Sequence, residues 1–282
     1  LGSDGAGVVE SSGSSSDFKK GDKVVIYPVL SCQECINCME NNPHKCCKSF
    51  GMIGELRNGS HAEFISLPEK NLVKMPSNLS FTDAAAISLA GLTAWNMIFD
   101  EGKVIQGEHA MIFGASGGVG VFIIKLLKKL NLKVHIVTSN ISKTKSLKSL
   151  GVDTVLNNSA MEILKFSKTL PNKGVDILFN CVGGNTWRYA LPAVRSGGRI
   201  MICGSILSPV AELDIRQVFY RNISIKGCTM GNLESLKNMI NMAASESNLR
   251  VPIDSVISID DIEKAHERMS EAKIFGKIAI EF

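Results

Sequence analysis

Apolar runs alternate with amphipathic stretches over the second half of the chain. The short runs predict buried parallel strands, and the longer stretches, apolar at helical spacing, predict crossover helices. The predicted strands are 109–113, 133–137, 153–156, 175–180, 198–203 and 223–228, and the predicted helices are 118–130, 142–150, 159–169, 185–194 and 213–220. Strict alternation predicts an α/β fold with a doubly wound parallel sheet and right-handed crossovers.

Both ends of the chain follow other patterns. Ahead of residue 109, short strand-like runs are separated by glycine and proline turns, which predict strands at 23–28, 59–65 and 71–75. Ser80 to Asp83 forms a capping-box-like start to a helix, which Gly91 is predicted to break before a second helix runs to Phe99. The tail predicts helices at 232–245 and 260–271 and an edge strand at 276–282.

A glycine-rich turn joins the strand at 109–113 to its helix. It reads Gly114-Ala115-Ser116-Gly117-Gly118-Val119-Gly120. The three glycines spaced three apart allow a tight turn and a close approach of backbone to a ligand. The free N–H groups of the helix that follows suit a pyrophosphate, so this turn predicts a dinucleotide site. The alternative is a glycine turn with no ligand.

The end of the second strand bears on which dinucleotide binds. In this fold an acidic residue there bonds the ribose 2′-hydroxyl of NAD. Here the chain reads His135-Ile-Val-Thr-Ser139-Asn140, with Lys143 after it and no carboxylate. A 2′-phosphate needs hydroxyl and cationic partners, which Ser139, Asn140 and Lys143 could supply. The missing acidic residue, more than the lysine, favours NADP(H) over NAD. The alternative is that these residues are only the polar start of the next helix.

Cysteines cluster in one short segment. The chain has eight, of which Cys32, Cys35, Cys38 and Cys46 have the spacing C-x2-C-x2-C-x7-C. Four thiolates in one loop can close a tetrahedron around Zn²⁺ and leave no open position, which predicts a structural zinc. An iron–sulfur cluster or paired disulfides are the alternatives, and Cys47 is an alternative fourth ligand. The other three cysteines lie in apolar strand-like runs and are interpreted as small core residues.

Composition narrows the function classes. The chain has 282 residues, 45% apolar and 21% charged, with a net charge of +4. Its Lys and Arg residues are scattered, so no basic patch indicates nucleic-acid binding. No apolar run reaches the roughly 18 residues of a membrane span, and no signal peptide is visible. A cytoplasmic enzyme acting on a small molecule is expected.

Several motifs together carry a family resemblance. They are Gly2-x-x-Gly5-Ala-Gly7-Val-Val, Gly21-Asp22-x-Val24, the four-cysteine segment, Gly91-Leu-Thr93-Ala-Trp95, the turn from Gly114 to Gly120, Cys181-Val-Gly183-Gly184, Gly197-Gly198-Arg199 and Gly276-Lys277. On these the chain resembles the medium-chain dehydrogenase/reductase superfamily, which holds the zinc alcohol dehydrogenases and the quinone and enoyl reductases.

The resemblance implies a domain organisation. Residues 1–93 would form a chaperonin-10-like, β-rich substrate domain, 94–229 a Rossmann-type dinucleotide domain, and 230–282 a segment returning to the first domain. Family members usually carry more strands ahead of Leu1, so the chain is expected to be N-terminally truncated. The edge strand at 223–228 would pair across a homodimer, or within a homotetramer.

The resemblance also implies site residues. Ser116 to Val119 would hold the pyrophosphate, and Thr93, Val182 and Gly204 would line the nicotinamide pocket. Zinc alcohol dehydrogenases have a histidine ligand where this chain has Ser3, and a cysteine ligand where it has Leu89. Neither residue is a usual zinc ligand, so a catalytic zinc is expected to be absent, unless Asp4 and an unseen ligand hold a metal weakly.

Without a metal to polarise an oxygen, the easier reaction is hydride delivery to a carbon already activated by conjugation. The leading hypothesis is therefore an NADP(H)-dependent reductase of enones, enoyl thioesters or quinones, with a structural zinc. No catalytic residue is assigned: Ser3, Asp4, Tyr27 and water are all open as the general acid. The alternatives are a zinc-dependent alcohol dehydrogenase with a second zinc, and a non-catalytic dinucleotide-binding protein.

Overall fold

The computed structural model describes all 282 residues, which divide into two units. The first unit comprises Leu1–Trp95 with Thr229–Phe282, and the second comprises Asn96–Cys228. The strands are β1 (Ala6–Val8), β2 (Lys23–Ile26), β3 (Val29–Leu30), β4 (Gly51–Met52), β5 (Leu72–Lys74), β6 (His109–Phe113), β7 (Lys133–Thr138), β8 (Thr154–Asn157), β9 (Val175–Asn180), β10 (Val194–Ile202), β11 (Ser224–Gly227), β12 (Ile253–Ser258) and β13 (Lys277–Glu281).

The α-helices are α1 (Ile36–Met39), α2 (Phe81–Ala86), α3 (Leu92–Trp95), α4 (Gly118–Lys129), α5 (Thr144–Ser149), α6 (Ala160–Thr169), α7 (Trp187–Ala193), α8 (Ile215–Tyr220), α9 (Leu233–Ser245) and α10 (Ile262–Ser270). No helix is long and apolar enough to cross a bilayer.

A single parallel sheet organises the second unit. Its strand order is β11-β10-β9-β6-β7-β8, and every neighbouring pair is parallel. The chain starts at β6, winds outward through β7 and β8, and then returns to the other side of β6 with β9. This reversal between β6 and β9 is the topological switch point, where the carboxyl ends of strands open a crevice for ligands. The predicted doubly wound sheet is confirmed.

Burial explains why these segments become strands. All six residues of β9 are buried, as are the last four of β6, because helices cover both faces of a parallel sheet. Helix α4 buries a continuous apolar stripe that includes Val121, Phe122 and Leu126. It ends where Asn131 adopts a left-handed conformation with φ of 59°, a common helix terminator.

Strand β10 begins earlier than its pattern predicts. It starts at Val194, not 198, and its register against β9 shifts between Val194 and Arg199. Gly197, with φ of 72°, lies within this irregular part. A bulge of this kind breaks the apolar run that marks a buried strand, so the sequence pattern indicated only its second half.

The first unit contains three small sheets. Strands β1, β2 and β5 form an antiparallel sheet, β3 pairs antiparallel with β4, and β12 pairs parallel with β13. Hydrogen bonds join its two chain segments, since the Tyr27 hydroxyl donates to the Gly231 carbonyl at 2.8 Å in a buried bond and the Asn78 amide donates to the Ala244 carbonyl at 2.7 Å in an exposed one. The C-terminal segment is thereby an integral part of this unit.

Two predictions for the first unit are wrong. Residues 59–65 form no strand, although Ser60 and His61 donate backbone bonds to Gly2 and Leu1. Gly91 does not break its helix, because a π-helical turn at Ile87–Gly91 continues directly into α3. A Cβ at Gly91 would lie 3.2 Å from Met239 Cγ, so the glycine allows α9 to pack closely.

Strand β12 was missed by the pattern analysis. Its residues are only half-buried or exposed, and they give neither a continuous apolar run nor a clean alternation. It becomes a strand because β13 supplies backbone partners, from Ile253 opposite Lys277 to Ser258 opposite Glu281.

Candidate functional site

The glycine turn lies at the switch point of the second unit's sheet. Gly114 follows β6 with φ of 85°, a conformation that side chains disfavour. A Cβ on Gly120 would lie 2.3 Å from the Gly114 carbonyl oxygen, so only glycine lets α4 start this close to the turn. The first N–H groups of α4, from Gly118 to Gly120, have no acceptor within the helix. The turn is therefore a cradle of backbone donors at the positive end of a helix, suited to a diphosphate.

The loop after β9 is held by a buried asparagine. Asn180 is fully buried, and its side-chain oxygen accepts the N–H groups of Val182 and Gly183, each at 3.0 Å. Its amide donates to the Thr186 hydroxyl at 3.1 Å, which donates to the Gly183 carbonyl at 2.7 Å. This network fixes Val182 beside the glycine turn. The sequence analysis missed Asn180, although a polar residue closing an apolar strand run was a usable signal.

The loop after β10 is bonded to the loop after β9. The Leu207 N–H donates to the Val182 carbonyl at 3.0 Å, and the Gly184 N–H donates to the Ser208 carbonyl at 3.1 Å. A Cβ on Gly204 would lie 2.7 Å from the Cys181 carbonyl oxygen, so the two loops touch there. Val182 and Gly204 thus lie in adjoining loops at the carboxyl edge of the sheet, which is also the edge of the glycine turn.

Lys143 reaches back to the glycine turn. Its Nζ lies 3.4 Å from the Ser116 hydroxyl oxygen, whereas Ser139 is exposed after the end of β7. The backbone between them is shaped by Asn140, whose side-chain oxygen accepts the Ser142 N–H at 3.0 Å. Strand β7 ends in Thr138 and contains no carboxylate residue. A hydroxyl and an ammonium group therefore stand together beside the diphosphate cradle.

Thr93 lies in α3 of the first unit. It is 4% exposed, and its hydroxyl donates to the Leu89 carbonyl one turn earlier at 2.8 Å. Such back-bonding occupies the hydroxyl proton but leaves the oxygen able to accept a bond.

Asp4 is the centre of a polar cluster in the first unit. One of its carboxylate oxygens accepts the Leu89 N–H at 2.8 Å, and the other lies 2.6 Å from Lys277 Nζ. The neighbouring Ser3 hydroxyl donates to the Ile53 carbonyl at 2.7 Å. Both carboxylate oxygens and the serine proton are thus engaged within the protein. No sequence pattern indicates the role of Lys277, which lies far from Asp4 along the chain.

Tyr27 was one of the open candidates for a general acid. It is 4% exposed, and its hydroxyl proton is held by the Gly231 carbonyl. Burial raises the pKa of Tyr27 well above its usual value. The side chain therefore keeps its proton in a structural bond. His61, the histidine that follows Ser60, is half-buried, and burial lowers its pKa.

The four clustered cysteines converge on one point. Their sulfurs all lie within 4.8 Å of one another, and the Sγ–Sγ distances include 3.5 Å for Cys35–Cys38, 3.5 Å for Cys32–Cys46 and 3.9 Å for Cys35–Cys46. Ligands about 2.3 Å from a tetrahedrally bound zinc lie roughly 3.8 Å apart. The donor set and its spacing therefore fit a tetrahedral, thiolate-bound metal.

Backbone N–H groups prepare these sulfurs for a cation. Glu34 and Cys35 donate to Cys32 Sγ at 3.5 and 3.3 Å, and Ser49 donates to Cys46 Sγ at 3.4 Å. Backbone bonds, from Cys47 first, lower the pKa of Cys35 to about 5, and those from Cys32 and Ser49 lower the pKa of Cys46 to about 7. Thiolates are the metal-binding form. Cys47 is exposed and its sulfur is outside the group of four.

Known proteins provide an independent comparison. A family model described as an alcohol dehydrogenase GroES-like domain matches residues 1–77, and one described as a zinc-binding dehydrogenase matches residues 118–245. A zinc-type alcohol dehydrogenase-like protein of Schizosaccharomyces pombe is 31% identical over 247 residues, which cover 83% of this chain and 69% of that protein. The quinone oxidoreductase of Homo sapiens is 25% identical over 275 residues, which cover 95% of this chain and 75% of that protein.

A solved structure is similar in fold to this chain along its whole length. It is described as an NAD-dependent alcohol dehydrogenase, with 32% identity and a TM-score of 0.91 over 100% of this chain and 82% of that one. The predicted fold class, a doubly wound sheet with a chaperonin-10-like β-rich part, is confirmed by these matches.

Proposed function

Because this chain belongs to the medium-chain dehydrogenase/reductase superfamily of oxidoreductases, we propose that it reduces activated C=C bonds or quinones with NADP(H) and without a catalytic zinc. The observation that carries the proposal is the bonding of Asp4. Lys277 and the Leu89 N–H engage both of its carboxylate oxygens, and the adjacent Ser3 donates its proton to a backbone carbonyl. A metal at this position would have to displace the ammonium group of Lys277 from the carboxylate.

The proposed substrate class follows from the proposal that no metal binds beside Asp4. Reduction of an isolated carbonyl group, or oxidation of an alcohol, develops charge on one oxygen that a metal ordinarily stabilises. In an enone, enoyl thioester or quinone, conjugation already spreads that charge. The protein then lowers the barrier to hydride transfer mainly by binding the substrate and the cofactor in the correct relative position.

The second unit would bind the dinucleotide and position its nicotinamide ring. The Gly118, Val119 and Gly120 N–H groups would bind the diphosphate of the dinucleotide, and Val182 and Gly204 would lie against its nicotinamide ring. When bound, the reduced nicotinamide supplies a hydride. Asn180 would hold the Val182 loop rigid through its two backbone bonds, so that the ring has one resting place. The proton that completes the reduction would come from water.

We assign the cysteine loop to a structural zinc. Four cysteine ligands saturate a tetrahedral site, so a zinc held by Cys32, Cys35, Cys38 and Cys46 has no position left for a substrate. Its contribution would be to the folding of the loop around α1. The four free thiols of the loop also fit a reducing compartment, which supports a cytoplasmic location.

The preference for NADP(H) rests on Lys143 and Ser116. Their contact at 3.4 Å places a cation and a hydroxyl where a 2′-phosphate would be accepted, and β7 ends without an acidic residue. The solved relative described as NAD-dependent makes this a point to test. In Lys143→Met the Kd for NADPH should rise about tenfold, the equivalent of one lost charge-assisted bond, while the Kd for NADH stays unchanged.

Lys145→Met is the matched control for that test, because Lys145 is an exposed lysine of the same helix start. It should leave both Kd values unchanged. Equal losses of NADPH and NADH binding in Lys143→Met would contradict the assignment.

The central experiment compares substrates and metal content on the same protein. Initial rates are measured with an enone, a quinone, an enoyl thioester, an aldehyde and an alcohol, each with both cofactors, and zinc is quantified per chain. We expect turnover of a conjugated substrate with close to one zinc per chain. Close to two zinc ions, with turnover of alcohols, would favour the alternative of a zinc-dependent alcohol dehydrogenase, which the zinc-type alcohol dehydrogenase-like relative supports. Tight cofactor binding with no turnover would favour a non-catalytic binding protein.

We also propose that the chain forms a homodimer or a larger homo-oligomer through β11. This strand pairs with β10 on one side and is one of the two edge strands of the sheet, the other being β8. Open edges of this kind pair readily with a second strand. Light scattering of the purified protein tests the assembly, and a monomer at micromolar concentration would contradict it.

A further inference from the structure

Two cysteines face each other across neighbouring strands of the second unit. Cys181 directly follows β9 and Cys203 directly follows β10, and the register pairs Asn180 with Ile202 just before them. Their sulfurs are 3.4 Å apart and share a hydrogen bond. The pair lies next to the glycine turn, since the Cys181 N–H donates to the Phe113 carbonyl at 3.2 Å.

The backbone allows these sulfurs to bond. Neighbouring strands lie about 4.8 Å apart, which falls within the roughly 4.4–6.8 Å that a disulfide requires between its Cα atoms. A disulfide brings the two sulfurs to about 2.0 Å. The approach of about 1.4 Å that this requires is within reach of side-chain rotation and a small loop adjustment.

The two thiols differ in accessibility. Cys203 is half-buried, whereas Cys181 is 7% exposed. The bond with Cys203, followed by burial, raises the pKa of Cys181 well above its usual value, so Cys181 keeps its proton. Cys203 is therefore the sulfur that meets an oxidant first, and Cys181 is the one that resolves the product.

We propose that Cys181 and Cys203 form a reversible disulfide that switches dinucleotide binding off. The oxidant is a hydroperoxide. The Cys203 thiolate attacks one peroxide oxygen, the O–O bond breaks, and a sulfenic acid and, with hydrogen peroxide, hydroxide form, the hydroxide taking a proton from solvent. The Cys181 sulfur then attacks the Cys203 sulfur and displaces hydroxide, which leaves as water with the Cys181 proton. Two thiols and one hydrogen peroxide yield one disulfide and two waters.

The disulfide would weaken dinucleotide binding through the residue that follows each cysteine. Val182 follows Cys181, and Gly204 follows Cys203, and these are the residues proposed to lie against the nicotinamide. A Cβ on Gly114 would lie 3.1 Å from Cys181 Cβ, so Cys181 packs directly against the glycine turn. Drawing the sulfurs together shifts both walls of the pocket. This effect on binding rests on the proposed function, whereas the cross-link itself does not.

The experiment uses the full chain with hydrogen peroxide as the probe. Remaining thiols are alkylated, and peptides are mapped by mass without reduction, while the Kd for NADPH is measured on the same samples. We expect the Cys181 peptide joined to the Cys203 peptide with a loss of about 2 Da, together with at least a tenfold rise in Kd, both reversed by dithiothreitol. Absence of the cross-link overturns the proposal, and so does a cross-link with an unchanged Kd.

Variants separate this pair from the other thiols. Cys203→Ser and Cys181→Ala should each keep, after peroxide, the NADPH affinity they show before it, whereas Cys228→Ser should lose affinity as the unaltered chain does. Cys228 is the matched control because it is also buried and follows the next strand, β11. Peroxide also reaches the zinc loop, so zinc release is measured alongside. Loss of affinity in Cys203→Ser in step with zinc release would overturn the switch.

The outcomes also distinguish this proposal from the proposed function. If the reduced protein binds neither NADPH nor NADH, the proposed function fails whether or not the cross-link forms. If the reduced protein binds NADPH and the cross-linked protein binds it equally well, only the switch fails.

Discussion

Two regions of the first unit invite comparison as metal sites, and they differ in how their donor atoms are employed. In the cysteine loop, four sulfurs converge within 4.8 Å and receive backbone N–H bonds that favour thiolates. Around Asp4, the two carboxylate oxygens are already bonded to Lys277 and to the Leu89 N–H, and the Ser3 proton is bonded to Ile53. The cysteine loop offers four sulfurs as ligands for a cation. The carboxylate of Asp4 is already neutralised by Lys277.

Residue type alone does not define a metal site. A carboxylate is a competent zinc ligand, but the ammonium group of Lys277 supplies the positive charge that a metal would bring. The N–H bonds in the cysteine loop have the opposite effect, because they stabilise negative sulfur without cancelling it. Zinc binding is therefore expected at the cysteine loop and not at Asp4, because only the loop has donor atoms available for a metal.

The largest expected effect comes from removing a ligand of the cysteine loop. Cys46→Ser should reduce zinc from near one per chain to below about a tenth, because an alcohol oxygen is a poor substitute for a thiolate, and the melting temperature should fall with it. Metal analysis and thermal unfolding measure this. Cys47→Ser is the matched control, since Cys47 is adjacent but exposed, and it should retain the zinc. Loss of zinc in Cys47→Ser with retention in Cys46→Ser would reverse the ligand assignment.

A smaller effect is expected from breaking the Asp4–Lys277 pair. The two side chains are 28% and 25% exposed, so Lys277→Met should lower the free energy of unfolding by about 1–2 kcal/mol, with solvent screening limiting the loss. Denaturant unfolding measures it, and a double-mutant cycle with Asp4→Asn isolates the pair. Zinc content should remain near one per chain. A second zinc in Lys277→Met would show that the lysine alone excludes the metal.

The smallest effect is expected at Ser3. Ser3→Ala removes one hydrogen bond to the Ile53 carbonyl and should cost about 1 kcal/mol of stability, with kcat nearly unchanged. A general acid typically contributes roughly a hundredfold or more to the rate. A fall of kcat on that scale, with normal stability, would make Ser3 the proton donor and contradict its structural role.

Sequence patterns predicted the second unit well for a physical reason. A parallel strand covered on both faces must be apolar throughout, so 109–113 and 175–180 matched β6 and β9. The hydrophobic pattern failed where a bulge or pairing with a distant strand determines the structure. The bulge at Gly197 interrupts the apolar run of β10, and β12 exists because β13 pairs with it.

The candidate site divides in the same way. The glycine turn was predicted because its spacing and its strand–helix context are local properties of the chain. Asn180 was missed, since its value comes from bonds to Val182, Gly183 and Thr186 that depend on the folded loop. The assignments of the glycine turn, Thr93, Ser139, Lys143, Val182 and Gly204 to the cofactor site stay predictions.

Residues close together along the chain suffice to predict the fold class, the glycine turn and the group of four cysteines. The pairing of Lys277 with Asp4 and of Cys203 with Cys181 is visible only once the chain is folded. These pairs join residues far apart in sequence, and their chemistry arises from distances of 2.6 and 3.4 Å that no local pattern records.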